Sequence, residues 1–522
     1  MFKKKATLWI LAVSIFLSIF ASACSKKQEP ASTATPEPTK QVEQSTPTPK
    51  PLEPVTLKIM RPGDRPKAMD AVQEEAEKRM KDTINVKLDI VFVPWSDLDN
   101  KTRITLSSGE NVDLIFDAPW LHLDWAISSG YYEPLEDLIK NYGPDVYKVR
   151  PELMWEANKY NGKIMAIPLG AFHALGRSYL IRKDIREKLG FGPIKSYEEL
   201  VNFMYAVKEK VPGMIPFSTE KHAPDMSETN VRVETDYDLL MRPTHAFTQS
   251  LVLYYKGNDG KVYNLFDQME PKLWEYIKNS RKLYKDKIIN QDLMASPSGG
   301  ELMKSGKVAV IVHNDIKNNY NLRNDLKKNF PDADTEIFTL SSFEKGKKII
   351  NFKQWNFIAI PKVSKNKERA MMFLNWTAQK DNYDLLAYGI KGVNWEPVGE
   401  DSYKTLNSDY SYSPFAWIWN PVHERITADV TEEEKKRLLF CKDADNFVAD
   451  ILVGFSFDTN PVANEIAQYA ALENKYYILI LNGIIDPDEN WEKFKKEAEQ
   501  PVKKVQQELQ RQIDQFLANK KK

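Results

Sequence analysis

Few residues in this chain are arranged to make or break a covalent bond. Its six histidines, His122, His173, His222, His245, His313 and His423, are scattered and show no metal-ligand spacing. "SPSGG" at 296–300 lacks the strand and the glycine spacing of a nucleophile elbow, and no phosphate-binding Gly-rich loop with Lys-Ser or Lys-Thr occurs. "GNDGKVYN" at 257–264 carries the Asp-Gly signal of a hairpin, not a calcium-loop pattern. What the chain does have is the chemistry of recognition. An indole face can cover the apolar face of a ring, while carboxylates, amides and guanidinium groups serve the hydroxyls on that ring's edge. "DAPW" places Asp117 three residues before Trp120, and Trp125 follows one turn later. Trp355 in "NFKQWNFIAI" precedes an apolar run, and Trp395 in "GVNWEP" lies between Gly392 and Pro397. Trp417 and Trp419 in "SPFAWIWNP" would share a side on a strand and diverge by about 200° on a helix.

The elements that must position these residues can be read from periodicity. A strand is predicted at 55–60 and a helix at 67–80 with Met69, Val72, Ala76 and Met80 on one face. Residues 84–93 alternate as Ile84, Val86, Leu88, Ile90 and Phe92, which predicts a second strand, followed by a helix from Ser96 toward Ser107. The short apolar run 112–116 suits a strand buried on both faces of a parallel sheet. Strands alternating with helices predict an α/β fold with right-handed crossovers. Ligands of such sheets lie beyond the carboxyl ends of the strands, the edge at which Asp117 and Trp120 fall.

The start of the chain reads differently. Lys3, Lys4 and Lys5 precede an uncharged stretch from Ala6 to Ala23, the pattern of a secretory signal. Residues 25–54 hold seven prolines and no aromatic residue, so they cannot offset the entropy of ordering by burying apolar surface. Such a segment reaches at most about 90 Å when extended. The remaining body is too long for one core and suits two lobes. Lys plus Arg and Asp plus Glu are 73 each; without Lys3, Lys4 and Lys5 the balance is 70 against 73, which points to no polyanion and no nucleic-acid partner. Cys24 and Cys441 are the only cysteines.

Longer stretches carry a resemblance. "ASAC" at 21–24 resembles a bacterial lipobox, with Ala21 where the pattern prefers Leu; this implies lipidation of Cys24, an N-terminal lipid anchor on the extracellular face and no internal disulfide. "SSGENVDLIFDAPWLHLDWAISSGYYEPLEDLI" (107–139), "YNGKIMAIP" (160–168), "KSYEELVNFMYAVKEK" (195–210), "PKLWEYIKNSRKLYKDKIINQDLM" (271–294) and "GELMKSGKVAVIV" (300–312) resemble, in order, segments of extracellular solute-binding proteins of sugar importers. "LLAYGIKGVNWEPVG" (385–399) and 454–517 resemble a subgroup with an extra C-terminal module of unassigned role. The apolar stripe Val502, Val505, Leu509, Ile513 and Phe516 in that module is expected to pack on the second lobe.

The resemblance implies a two-lobed periplasmic-binding-protein-like fold of type II, with a hinged ligand cleft and a mostly helical C-terminal extension. It implies a signal peptide at 1–23, a lipidated tether at 24–54, a first lobe of 55–168 plus 306–350, and a second of 172–303 plus 354–522 that includes the module at 445–522. Chain crossings are expected near Pro168-Leu169-Gly170, Asn351-Phe352-Lys353 and Ser305-Gly306. The implied function is capture of an oligosaccharide and its delivery to ABC transporter permease subunits, by a monomer without a cofactor or catalytic residues. Asp117, Trp120, Trp125, Trp355 and Trp395 are the expected ligand contacts. Trp417 is added from its rough position relative to a sugar-stacking aromatic in maltose-binding relatives, and Phe172 and His173 because they follow the first hinge. A glycoside hydrolase and a peptide receptor are the rival readings; a hydrolase needs two carboxylates about 5–10 Å apart, which sequence cannot show.

Overall fold

The computed structural model describes residues 52–520, apart from 175, 221–223, 314–315, 341–342 and 411–413. The expected signal, Cys24 and nearly all of the tether lie outside the described residues. No helix among the described residues is long and apolar enough to cross a membrane.

The first lobe is built on a five-stranded sheet. Val55–Pro62 lies parallel to Val86–Val93 on one side, from Val55 opposite Val86 to Pro62 opposite Val93, and parallel to Leu114–Asp117 on the other. Asn356–Ala359 then runs antiparallel to Leu114–Asp117, and Ile167–Leu169 closes the edge antiparallel to it. Helix Met69–Met80 buries Met69, Val72, Ala76 and Met80, the face that the periodicity predicts. Helix Leu98–Ser108 stops at Gly109, whose φ of 69° is costly for a residue with a Cβ.

The second lobe carries a four-stranded sheet in the order Thr335–Phe338, Ser178–Arg182, Val308–His313, Ile215–Ser218. This corrects the expected lobe boundaries. Residues 306–350 do not join the first sheet: Val310 pairs with Ile181 and Phe217, and Ile337 with Leu180. Residues 356–425 return instead to the first lobe, where helices Lys367–Thr377 and Lys380–Tyr388 share a core with Leu57, Ile59 and Leu88. Gly306 is a turn between helix Gly299–Lys304 and Val308–His313, not a crossing. The physical reason is that an apolar strand buried on both faces suits either sheet, and only partners distant in sequence decide between them.

The chain therefore leaves the first sheet after Leu169 and re-enters it at Asn356. A third passage leads from Ile426 into helix Glu432–Lys442, whose Leu438 and Cys441 pack on Ala171 and Phe172 of the first connector. The C-terminal helix Pro487–Lys520 buries Val502, Val505, Leu509 and Ile513 against Leu253, Tyr254, Phe266, Leu273 and Ile277, with Phe516 half-buried at its end.

Candidate functional site

The carboxyl ends of Val86–Val93 and Leu114–Asp117, and the start of the antiparallel Asn356–Ala359, meet at one edge of the first sheet. Three tryptophans stand there: Trp95 after the first strand, Trp120 after the second, Trp355 immediately before the third. They are 49%, 49% and 59% exposed, and every other tryptophan among the described residues is buried or half-buried. The Trp120 indole N–H donates to the Trp355 carbonyl oxygen at 2.7 Å, tying the two segments together. Beneath them lies the fully buried Phe116, with ring centroids 6.3 Å from both Trp95 and Trp120 and 6.2 Å from Phe415. Phe415, delivered by the short helical turn Pro414–Ala416, stacks on Trp95 at 6.0 Å and 15°. The core ring fixes the height of the exposed ones, so the indole faces are presented in place.

Asp117 is not part of this exposed surface, which corrects its expected role as a ligand contact. Its carboxylate is fully buried and accepts from its neighbour Ala118 N–H at 2.7 Å, from the His122 ring at 3.1 Å and from the Tyr132 hydroxyl. Burial, with the Asp117 charge, pushes the Tyr132 phenol far up. Asp117 thus shapes the 118–122 turn that holds Trp120, and His122 extends the chain of contacts to Asp99 at 3.0 Å.

The other expected contacts divide. Trp125 is half-buried, with Tyr131 at 5.1 Å and the Arg103 guanidinium 5.0 Å over its ring, apart from the three-indole group. Trp417 is fully buried against Phe373 and Arg61, a core position. Trp395 is 3% exposed and donates to the Gly389 carbonyl at 2.9 Å. It lines a cavity of about 340 Å³ with Arg79, Asp381 and Arg425. Arg79 ends a helix that runs back from the strand tips, so this cavity lies at the opposite edge of the sheet from the indoles. Phe172 and His173 face helix Glu432–Lys442: the ring of Phe172 is buried with Leu438 and Cys441, and the His173 N–H donates to the Cys441 carbonyl at 2.8 Å. Burial lowers the His173 imidazole to about 4. In each case a large aromatic found a core or connector to fill, which is its commoner use.

Sequence reasoning missed Trp95 and Phe415. The rule that selected Trp120, an aromatic just past a parallel strand, applies equally to "VFVPW", so Trp95 was within reach; Phe415 comes from a distant loop and gave no local signal.

Polar residues neighbour these segments in the chain. Asp124 lies one turn beyond Trp120, beside the Tyr160 hydroxyl and under the influence of the Lys353 charge. The protein around its carboxyl raises Asp124, and burial lowers the Lys353 ammonium. His245, which also senses the Lys353 charge, is held neutral by burial at about 3 and has its Nδ1 2.7 Å from the Tyr255 hydroxyl. No group of three histidine, cysteine or carboxylate residues able to hold a metal ion occurs among the described residues. The arrangement can stack flat rings and bind hydroxyl groups.

Residues 63–384 match the model of the bacterial extracellular solute-binding proteins, and residues 451–518 match a domain of unknown function. A carbohydrate ABC transporter substrate-binding protein of Streptococcus pneumoniae is 28% identical over 89% of this chain and 91% of its own. A polygalacturonan/rhamnogalacturonan-binding protein of Bacillus subtilis is 24% identical over 63% of this chain and 65% of its own. Among solved structures, the N-glycan transport solute binding protein of Streptococcus pneumoniae superposes with a TM-score of 0.70 at 25% identity, covering 90% of this chain and all of that one.

Proposed function

The chain belongs to the bacterial extracellular solute-binding proteins, and we propose that it is the receptor of an ABC importer, capturing an oligosaccharide between its lobes for delivery to a membrane permease. The observation that carries this reading is the group Trp95, Trp120 and Trp355, three exposed indoles at the ligand edge of a chain that keeps its other described tryptophans buried or half-buried. Leaving that much apolar surface in water is unfavourable unless a partner covers it. The relatives support the class of partner: one is named for carbohydrate transport, another for polygalacturonan and rhamnogalacturonan, and the pneumococcal structure has been solved with a mannose–N-acetylglucosamine glycan, Man5GlcNAc, at 25% identity.

A ligand touching both lobes favours the closed arrangement and shifts the population toward it. The receptor releases its ligand intact, so no catalytic pair is assigned. The lipobox-like 21–24 supports lipidation of Cys24, which would hold the body at the outer face of the membrane through the tether.

A thermal-shift screen of residues 52–522 against neutral and acidic oligosaccharides, with peptides as contrast, tests the reading. A ligand that binds only the folded state raises the melting temperature, by about 2.7 kcal/mol of stabilisation at a hundred times Kd. A shift with one glycan class, with the glycan recovered uncleaved, is expected. Shifts with peptides alone would contradict it, and recovery of shortened glycan would point to a hydrolase.

A further inference from the structure

The domain of unknown function at 451–518 begins beside the second connector, the passage that re-enters the first lobe at Asn356. Just before it, Val448 N–H donates to the Lys348 carbonyl and Asp450 N–H to the Ile350 carbonyl, both at 2.9 Å, in a parallel ladder of two residue pairs. So short a ladder is marginal on its own in water. The second lobe reinforces it. The Asn258 side chain donates to the Ala449 carbonyl at 2.9 Å and accepts from Ile451 N–H at 2.8 Å, taking the place of a third strand. Arg242 donates to the buried Asp450 carboxylate at 2.8 Å.

The far end of the module returns to the same place. Lys520, in the last turn of the C-terminal helix, donates to the Ile451 and Val453 carbonyls at 3.3 and 3.4 Å, and the Phe516 ring lies 5.5 Å from Phe455. That helix is itself bonded to the turn beside Asn258: Gln510 accepts from Val262 N–H at 2.8 Å and donates to the Gly260 carbonyl at 3.1 Å. Both ends of the module thus fasten residues 449–455 to the second lobe.

The first lobe meets this segment in a different way. Val453 shares an apolar cluster with Phe352 and with Ala157, the last residue of helix Glu152–Ala157. Gly454, at φ 86°, packs on first-lobe backbone, where a Cβ would stand 3.4 Å from the Glu156 carbonyl oxygen. Among the described residues no hydrogen bond joins 447–455 to the first lobe. Hydrogen bonds are directional and hold a segment still, whereas apolar contact is not directional and lets one surface turn on another. The second connector is pinned on both sides of a short free stretch. Ile349 and Ile350 belong to the ladder, while the Phe352 carbonyl and Gln354 N–H are bonded to Asn158 of the first lobe at 3.1 and 2.9 Å. Between them lie Asn351 and the φ of 55° at Phe352.

We propose that the 451–518 module is the seat of the hinge: it clamps 447–455 to the second lobe as a fixed surface on which Glu156 and Ala157 turn, and so sets how readily the lobes close before any ligand arrives. This role goes beyond capture and does not depend on which ligand is taken.

The test is pulsed electron spin resonance between labels at Lys87→Cys in the first lobe and Lys210→Cys in the second, in the full chain with Cys24→Ser and without ligand; the remaining Cys441 is buried. Asn258→Ala combined with Lys520→Met, both at exposed positions, unfastens the segment without opening a core. Hydrogen exchange at Val448 and Asp450 should quicken by about tenfold, the protection of roughly one hydrogen bond. The interlobe distance distribution should broaden with little change in melting temperature. Gly454→Ala, which sets a methyl against Glu156, should shift the mean distance. Interlobe distances unchanged in both variants, with exchange at Val448 and Asp450 quickened, would overturn the proposal; so would exchange that stays slow, because the module would then not be what holds the segment. No glycan enters these measurements, so a failure of the receptor reading in the thermal screen is distinguishable from a failure of the hinge seat.

Discussion

Trp120 and Trp417 show how differently the same residue type is used a few residues past a predicted strand or in a distant loop. Trp120 is half exposed above Phe116, and Trp417 has no exposed surface. Trp120→Ala or Trp95→Ala should therefore weaken glycan binding by about 2 kcal/mol, roughly thirtyfold in Kd, with little change in melting temperature. Trp417→Ala should instead destabilise the fold by about 3–5 kcal/mol, read from denaturant midpoints. Periodicity and the strand-end rule made Trp120 legible. They could not separate Trp417 or Trp395 from it, because burial of a loop tryptophan depends on helices such as Lys367–Thr377 that pack on it from elsewhere in the chain.

Histidine titration adds a second residue-scale expectation. Burial keeps His173 and His245 neutral in the fold, at about 4 and about 3, below the unfolded value of about 6.5. The unfolded chain binds more protons between those limits, so stability is complete above pH 6.5 and is lost as the pH falls toward 4 and then 3. The melting temperature should decline between pH 7 and 5, and His245→Gln should flatten part of that decline.

At the scale of elements, the segment 221–243 resisted sequence reading because it is polar, yet it contains the buried helix Glu228–Thr235. Ser227 caps it, accepting from the Asn230 N–H at 3.3 Å. Glu228 is fully buried and accepts from the Tyr179 hydroxyl at 2.8 Å and from Tyr197, while Arg232 lies 4.2 Å over the Tyr197 ring and 3.8 Å over Tyr276. Glu228, Thr229 and Arg232 meet side chains from other elements, so hydrophobic periodicity is weak where the helix is nonetheless interior. Burial raises the Glu228 carboxyl, and its two phenol donors offset part of that. Glu228→Ala leaves two buried hydroxyls without their acceptor and should cost about 2–4 kcal/mol by urea unfolding. The C-terminal helix was legible for the opposite reason: Val502, Val505, Leu509 and Ile513 repeat on one face over a long span and bury there.

For the whole molecule, the α/β class and the first three strands followed from local pattern, whereas the partition of the chain between lobes did not. Strands such as Val308–His313 acquire their sheet from partners distant in sequence, Ser178–Arg182 and Ile215–Ser218. The partition matters because it places the connectors. Residues 447–453 pack against them: Ile349-Ile350 pair with Val448-Ala449, and Phe352 shares a cluster with Ala157, Phe447 and Val453. Capture by closure of the lobes should lower the radius of gyration in solution scattering when glycan is added.

Ligand bound at the sheet edge should cover the Trp95, Trp120 and Trp355 faces, and tryptophan fluorescence reads this directly, since the other described tryptophans are already buried or half-buried. Titration with a glycan found in the thermal screen should give a saturable blue shift, with the same Kd as calorimetry, that shrinks in Trp120→Phe and persists in Trp376→Phe. Calorimetric binding without a spectral shift, or a shift unchanged by Trp120→Phe, would place the ligand elsewhere and contradict the account.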